Sequence, residues 1–174
     1  MRELIDAQKM IRTVRRISHE IIERNADLNS IVLLGVQKKG VPLAKMIQGN
    51  ISKIENIDVE MYSLDISGYR DDREVLNFEK LDVDLTNKTV IIVDDVLHTG
   101  RTVRASMDAI VDLGRPSKIQ LAVLVDRGHR ELPVRADYVG KNIPTSTEEI
   151  VRVDFNENGG VFIYKNWGEE NGKH

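Results

Sequence analysis

The 174-residue sequence predicts an α/β fold, a mainly parallel sheet flanked by helices. Two observations carry that expectation. The stretch Val90 to Thr102, VIIVDDVLHTGRT, runs four β-branched residues into two adjacent carboxylates, then into a glycine flanked by hydroxyls. A continuous apolar run of this kind suits a strand buried on both faces, and its C-terminal end is where open α/β sheets place their ligand crevice. Along the rest of the chain, strand-like runs alternate with segments of helical periodicity, the pattern of βαβ units.

The elements follow in order. Glu3 to Arg24 carries Ile11, Val14, Ile17, Ile21 and Ile22 at helical spacing and predicts a first helix. Ile31 to Val36 (IVLLGV) predicts a strand, followed by the loop QKKG and a helix from about Val41 with Pro42 in its first turn. Another strand is expected at Val59 to Leu64. Residues 67–84 break the pattern with dense charge and predict a long mobile loop or a pair of excursion strands. The strand at Val90 leads into an amphipathic helix from about Thr102 to Leu113, stopped by Gly114 before Pro116. Ile119 to Asp126 is the next strand, and late strands are expected at Ile150 to Phe155 and Val161 to Tyr164.

Length and a 41% hydrophobic content suit a single domain over 1–174, since domains cluster near roughly 100 to 150 residues. The absence of cysteine excludes a disulfide framework and any thiolate metal site or nucleophile. No stretch approaches the roughly 20 apolar residues of a membrane span, and the N-terminus lacks a signal-peptide core, so a cytoplasmic protein with no membrane partner is expected. A net charge of -3 argues against a surface wholly given to nucleic acid but leaves room for a local basic patch.

Two loops have the chemistry of phosphate sites. His98, Thr99, Gly100, Arg101 and Thr102 open a helix, where exposed N–H groups, the helix dipole, two hydroxyls and a guanidinium suit a phosphate monoester. Asp94 and Asp95 immediately before it would repel a bare phosphate and are better suited to sugar hydroxyls. Asp-Asp alone is a turn and Thr-Gly-x-Thr alone a helix cap; the joint pattern is far more specific. The loop Gly35 to Pro42 has the glycine spacing of a Walker loop, but Val41-Pro42 replaces the required Lys-Ser/Thr. It still offers Lys38, Lys39 and the backbone of Gly40. Two anion sites flanking a sugar grip suit a ribose 5-phosphate carrying pyrophosphate on C1.

VIIVDDVLHTGRT closely resembles the phosphoribosyl-pyrophosphate (PRPP) signature of type I phosphoribosyltransferases. Asp65 to Asp72 (DISGYRDD), Arg104 to Ser146 and Arg15 to Asn25 further resemble the bacterial family of pyrimidine-operon attenuation regulators that are also uracil phosphoribosyltransferases. The resemblance implies the type I core with a mobile loop at 67–84 and a small hood, with residues 127–146 as the hood and base-binding region. It also implies roles. Asp94 and Asp95 hold the ribose, residues 98–102 hold the 5′-phosphate, and Lys38 to Gly40 hold pyrophosphate. Arg70 or Arg73 closes on the leaving group, and Arg127, Tyr138, Val139 and Thr145 meet the base. Mg2+ is implied as cofactor, held mainly by substrate oxygens with no dedicated protein metal site.

Two positions depart from the family pattern: Lys38-Lys39-Gly40 where Thr-Arg-Gly is usual, and His98 where Tyr is usual. Lysine keeps the charge and loses the guanidinium fork. His98 either titrates near neutrality and assists uracil deprotonation or offers only its backbone N–H. The partners implied are uracil, PRPP, UMP and other uridine nucleotides, the operon leader mRNA, and a second or further copies of the chain. For RNA, the first helix offers Arg12, Arg15, Arg16, His19 and Arg24, and a later cluster offers His129, Arg130, Arg135 and Lys141. Three alternatives stay open: a transferase with an incidental basic face, an RNA-binding attenuator, and a phosphoribosyltransferase for another base.

Overall fold

The computed structural model describes residues 1–71 and 80–165; Arg73 and the centre of the expected mobile loop lie outside the described residues. Strands β1 (Arg2–Asp6), β2 (Ile31–Val36), β3 (Glu60–Leu64), β4 (Thr89–Leu97), β5 (Lys118–Asp126), β6 (Tyr138–Asn142), β7 (Glu149–Asp154) and β8 (Gly160–Lys165) interleave with three helices. These are α1 (Ala7–Arg24), α2 (Gly40–Glu55) and α3 (Arg101–Val111). Five strands form one parallel sheet in the order β3-β2-β4-β5-β6. The apolar runs of β2 and β4 bury both faces, as their sequences predict.

Side-chain alternation sends each strand's residues to two cores. Leu33, Ile91, Val93 and Leu124 pack with Val14, Ile17 and Ile21 of α1 and Leu43 and Ile47 of α2. Leu34, Val90, Ile92 and Val123 pack with Val103, Ala109 and Ile110 of α3. The chain passes from β2 outward to β3 and then back across β2 to β4. Strand order therefore reverses between β2 and β4, and the loops leaving their carboxyl ends diverge into a crevice.

Two sequence expectations are corrected at the N-terminus. Residues 2–6 form a strand rather than the start of the helix, because they pair antiparallel with β8. Asp6 ends that strand and caps α1, its carboxylate accepting from Lys9 N at 2.7 Å. Ile11 lies 47% exposed, and Met10 takes its place in the buried stripe. The hood is also differently built. It is the three-stranded sheet β1-β8-β7, drawn from both ends of the chain. Residues 127–146, expected as hood, instead form a loop, the edge strand β6 of the parallel sheet and the connection to β7.

Candidate active site

At the strand-order reversal lies a crevice of about 520 Å³ lined by Val36 to Lys39, Asp65 to Ser67, Arg70, Asp94 to Val96 and Thr102. Each contributor sits at a strand's carboxyl end or just beyond it. The structure thus brings together Lys38, Lys39, Arg70, Asp94, Asp95 and Thr102. A smaller adjoining cavity of about 50 Å³ is lined by Asp94, His98, Thr99, Gly100 and Thr102 at the start of α3. Gly100 caps that helix with φ of 95°, the left-handed region glycine enters most readily.

The paired carboxylates are held by their own backbone. Asp94 Oδ1 accepts from Asp95 N at 2.9 Å and Asp95 Oδ1 from Val96 N at 2.8 Å. Withdrawal from solvent, reinforced by the charge of Asp95, holds the Asp94 carboxyl well above the usual carboxylate range, with Arg70 pulling the other way. A carboxyl in this state is poised to ionise when hydroxyl donors or a cation arrive. The first loop approaches β4 closely because of Gly40: a Cβ there would stand 2.2 Å from the Val93 carbonyl oxygen. The Gln37–Lys38 peptide is cis. Gln37 N donates to Leu64 O at 2.9 Å, and Lys39 Nζ reaches Val153 O of the hood at 3.1 Å.

Other expected residues are placed differently. Arg101 turns its side chain out of the loop, donating to Glu131 and Asp71, both at 2.7 Å. Tyr138 does not meet the crevice: it is 1% exposed, its hydroxyl donates to Gln120 at 2.8 Å and accepts from Asn25 at 3.1 Å. The register explains this, since Tyr138 opens β6 opposite Ala122, well short of the strand ends where the crevice lies. Val139 points to the α3 side and packs in the second core. Arg127 and Thr145 do lie at the carboxyl-end loops. Thr145 Oγ1 donates to Arg127 O at 2.9 Å, and Arg127 donates to Ser146 O at 3.1 Å while its buried Nε has no protein partner.

His98 and His129 meet edge to face with ring centroids 6.4 Å apart. Burial, then the charge of Arg127 and of His129, lowers the His98 pKa and so favours its neutral imidazole. Sequence reasoning gave no role to Asp65, whose carboxylate accepts from Ser67 N and Oγ at 2.9 and 2.6 Å. The signal available was its place immediately after a strand parallel to β2.

The basic residues divide. Arg12, Arg15 and His19 are exposed on α1. Arg16 donates to Glu20 and to the Gly140 carbonyl, and Arg24 donates to the Asp137 carbonyl and covers the Tyr138 ring at 5.1 Å. These contacts lay α1 along β6 on the face of Tyr138 and Gly140, whereas exposed Lys141, two residues after Val139, alternates to the opposite face. His129 and Arg130 do not join the α1 face. His129 Nε2 donates to Thr145 O at 2.5 Å, and Arg130 is committed to Asp126, Val134 O and His98 O. Among the described residues, no group of three or more acidic or histidine side chains could cage a metal, and no helix is long and apolar enough to cross a membrane.

The parallel sheet thus reverses its order at a crevice that holds paired carboxylates between two loops. The chain belongs to the phosphoribosyl transferase family, whose domain matches residues 1–158. Within that family it is similar to the "Bifunctional protein PyrR" of Caldicellulosiruptor bescii, at 53% identity over 93% of this chain and 94% of that protein. It is 52% identical to the "Pyrimidine operon regulatory protein" of Lactococcus lactis, covering 91% of this chain and 92% of that one. Among solved structures, a hypoxanthine-guanine phosphoribosyltransferase from Bacillus anthracis shares the fold, with TM-score 0.69 and 23% identity over 83% of this chain and 82% of that one. The hypoxanthine phosphoribosyltransferase of Trypanosoma cruzi does so with TM-score 0.66 and 22% identity, over 83% and 82%.

Proposed function

We propose that this chain is an RNA-binding regulator that attenuates transcription of the pyrimidine operon in response to uridine nucleotides, and a uracil phosphoribosyltransferase that makes UMP and diphosphate from uracil and PRPP. The observation that carries the catalytic half is the crevice itself, with Asp94 and Asp95 set between the loops at Lys38 and at His98.

In this reading uracil N1 attacks C1 of PRPP, the C1–O bond breaks with its electron pair leaving on the pyrophosphate oxygen, and the N1 proton passes to solvent. The transition state resembles an oxocarbenium ion, so most of the catalysis is positioning and charge stabilisation. Asp94 and Asp95 accept from the ribose hydroxyls. Amides and hydroxyls of the loop 98–102 hold the 5′-phosphate, while Arg101 orders that loop, its guanidinium bound to Glu131 and Asp71 and its amide donating to Thr99 Oγ1 at 3.2 Å. Lys38, Lys39 and the Gly40 amide hold the pyrophosphate, with Arg70 lining the same crevice. Arg127 offers its unpartnered Nε to a uracil carbonyl beside Thr145.

Asp94 and Asp95 are hard oxygen donors that fit Mg2+ when substrate oxygens and water complete its shell. Held there mainly through substrate oxygens, Mg2+ would supply charge neutralisation to the leaving pyrophosphate. The test of the catalytic half is to supply uracil, hypoxanthine or guanine with PRPP. Nucleotide is expected from uracil alone, and turnover of a purine instead would assign the site to another base.

RNA meets the face of α1 through Arg12, Arg15 and His19; a homodimer or larger assembly in a cytoplasmic setting completes this reading. Such side chains neutralise phosphates and stack on unpaired loop bases. Replacing Arg12 and Arg15 by alanine is expected to weaken leader binding and to flatten its salt dependence by roughly one to two in log–log slope. Unchanged affinity would place the RNA surface elsewhere.

A further inference from the structure

Three consecutive carbonyls, from the last residue of β4 into the loop that follows, are held by one segment, residues 127–132. Leu97 O accepts from Arg127 N at 3.0 Å, and Thr99 O accepts from Glu131 N and Leu132 N at 2.9 and 3.0 Å. Between them, His98 O accepts from Arg130 Nη1 at 2.9 Å. Across a trans peptide the next N–H points opposite to the carbonyl, so the amides of His98, Thr99 and Gly100 face away from this segment. On that far side lies the cavity lined by His98, Thr99, Gly100 and Thr102, to which residues 127–132 contribute nothing.

The middle contact of the three is made by a side chain. The Arg130 guanidinium also donates from Nε to Val134 O at 2.9 Å and from Nη2 to the Asp126 carboxylate at 2.5 Å. It is largely withdrawn from solvent, and each of its nitrogens has an acceptor in a fixed place. A planar fork with three fixed acceptors admits one orientation, which a lysine cannot reproduce.

We propose that Arg130 is a positioning residue for the 5′-phosphate. It touches no ligand. By fixing the His98 carbonyl outward it aims the Thr99 N–H at the phosphate and sets the spacing of the amides on either side. The inference rests on reading residues 98–102 as the 5′-phosphate loop.

The test compares binding of UMP and of uridine, which lacks the phosphate, by calorimetry on the intact protein, Arg130→Gln and Arg130→Lys. The intact protein binds UMP more tightly than uridine. In both variants the UMP-to-uridine affinity ratio is expected to fall roughly ten- to a hundredfold, the scale of losing a partner that orients a binding group, with uridine affinity near its original value. If neither variant folds, Asp126→Asn, which loosens one arm of the fork, is expected to lower the ratio in the same direction. An unchanged ratio in folded variants overturns the proposal, and so does a ratio lost with glutamine but kept with lysine, which assigns the effect to charge alone. Equal affinity of the intact protein for UMP and uridine instead removes the phosphate-loop reading, and the proposal with it.

Discussion

Replacing Asp94 and Asp95 together by asparagine is expected to lower kcat/KM for PRPP by about 10³-fold, about 4 kcal/mol of transition-state stabilisation. Asparagine keeps an oxygen to accept from the Asp95 and Val96 amides that now hold the carboxylates, so the local backbone stays in place. What is lost is negative charge beside the sugar as C1 becomes cationic. A pH signature accompanies this loss. The free Asp94 carboxyl titrates above the ordinary range because it is out of solvent and next to Asp95. Ribose hydroxyls and a cation favour its ionised form, so ligand binding drives off a proton. Affinity for PRPP therefore rises with pH from the ordinary carboxylate range up to the raised pKa and levels off above it. Calorimetry in buffers of different ionisation enthalpy reads the released proton. Asp94→Asn alone is expected to abolish the release, and a release that persists in that variant would assign it to another group.

Gly40→Ala is expected to cost about 3 kcal/mol of stability, in the range of severe overpacking, and to weaken pyrophosphate binding with it. The added methyl would lie 2.2 Å from Val93 O and 3.3 Å from Asp94 Cα, so a strand backbone rather than a flexible side chain would have to move. The loop and the acidic pair would part at the point where a substrate must bridge them. Urea unfolding and titration with pyrophosphate check both effects. An unfolding free energy within about 0.5 kcal/mol of the original, the range of ordinary surface changes, would show that the loop can retreat from β4 without consequence.

The features legible in the sequence were those written locally. Val90 to Val93 is apolar on both faces because helices cover both, and the acidic pair and Gly100 follow it in one short stretch. The two loops that flank the acidic pair could therefore be located from residue type and order. Residues 2–6 could not be read as a strand, because their partner β8 is at the far end of the chain. Tyr138 is aromatic and close in sequence to Thr145, yet register with Ala122 carries it away from the crevice. The arginines were hardest to place: Arg16, Arg101 and Arg130 look alike in a sequence. Their targets are a β6 carbonyl, two carboxylates and a loop carbonyl, all supplied by distant segments.

A regulator that senses uridine nucleotides must couple the crevice to the RNA face, and linkage makes the coupling reciprocal. The direct measurement is binding of a pyrimidine-operon leader hairpin at fixed salt, titrated with and without UMP. Tighter RNA binding in the presence of UMP, lost when Asp94 and Asp95 are replaced by asparagine, is the predicted result. Weak binding that ignores UMP and disappears with modest salt would contradict the regulatory account and leave the transferase alone.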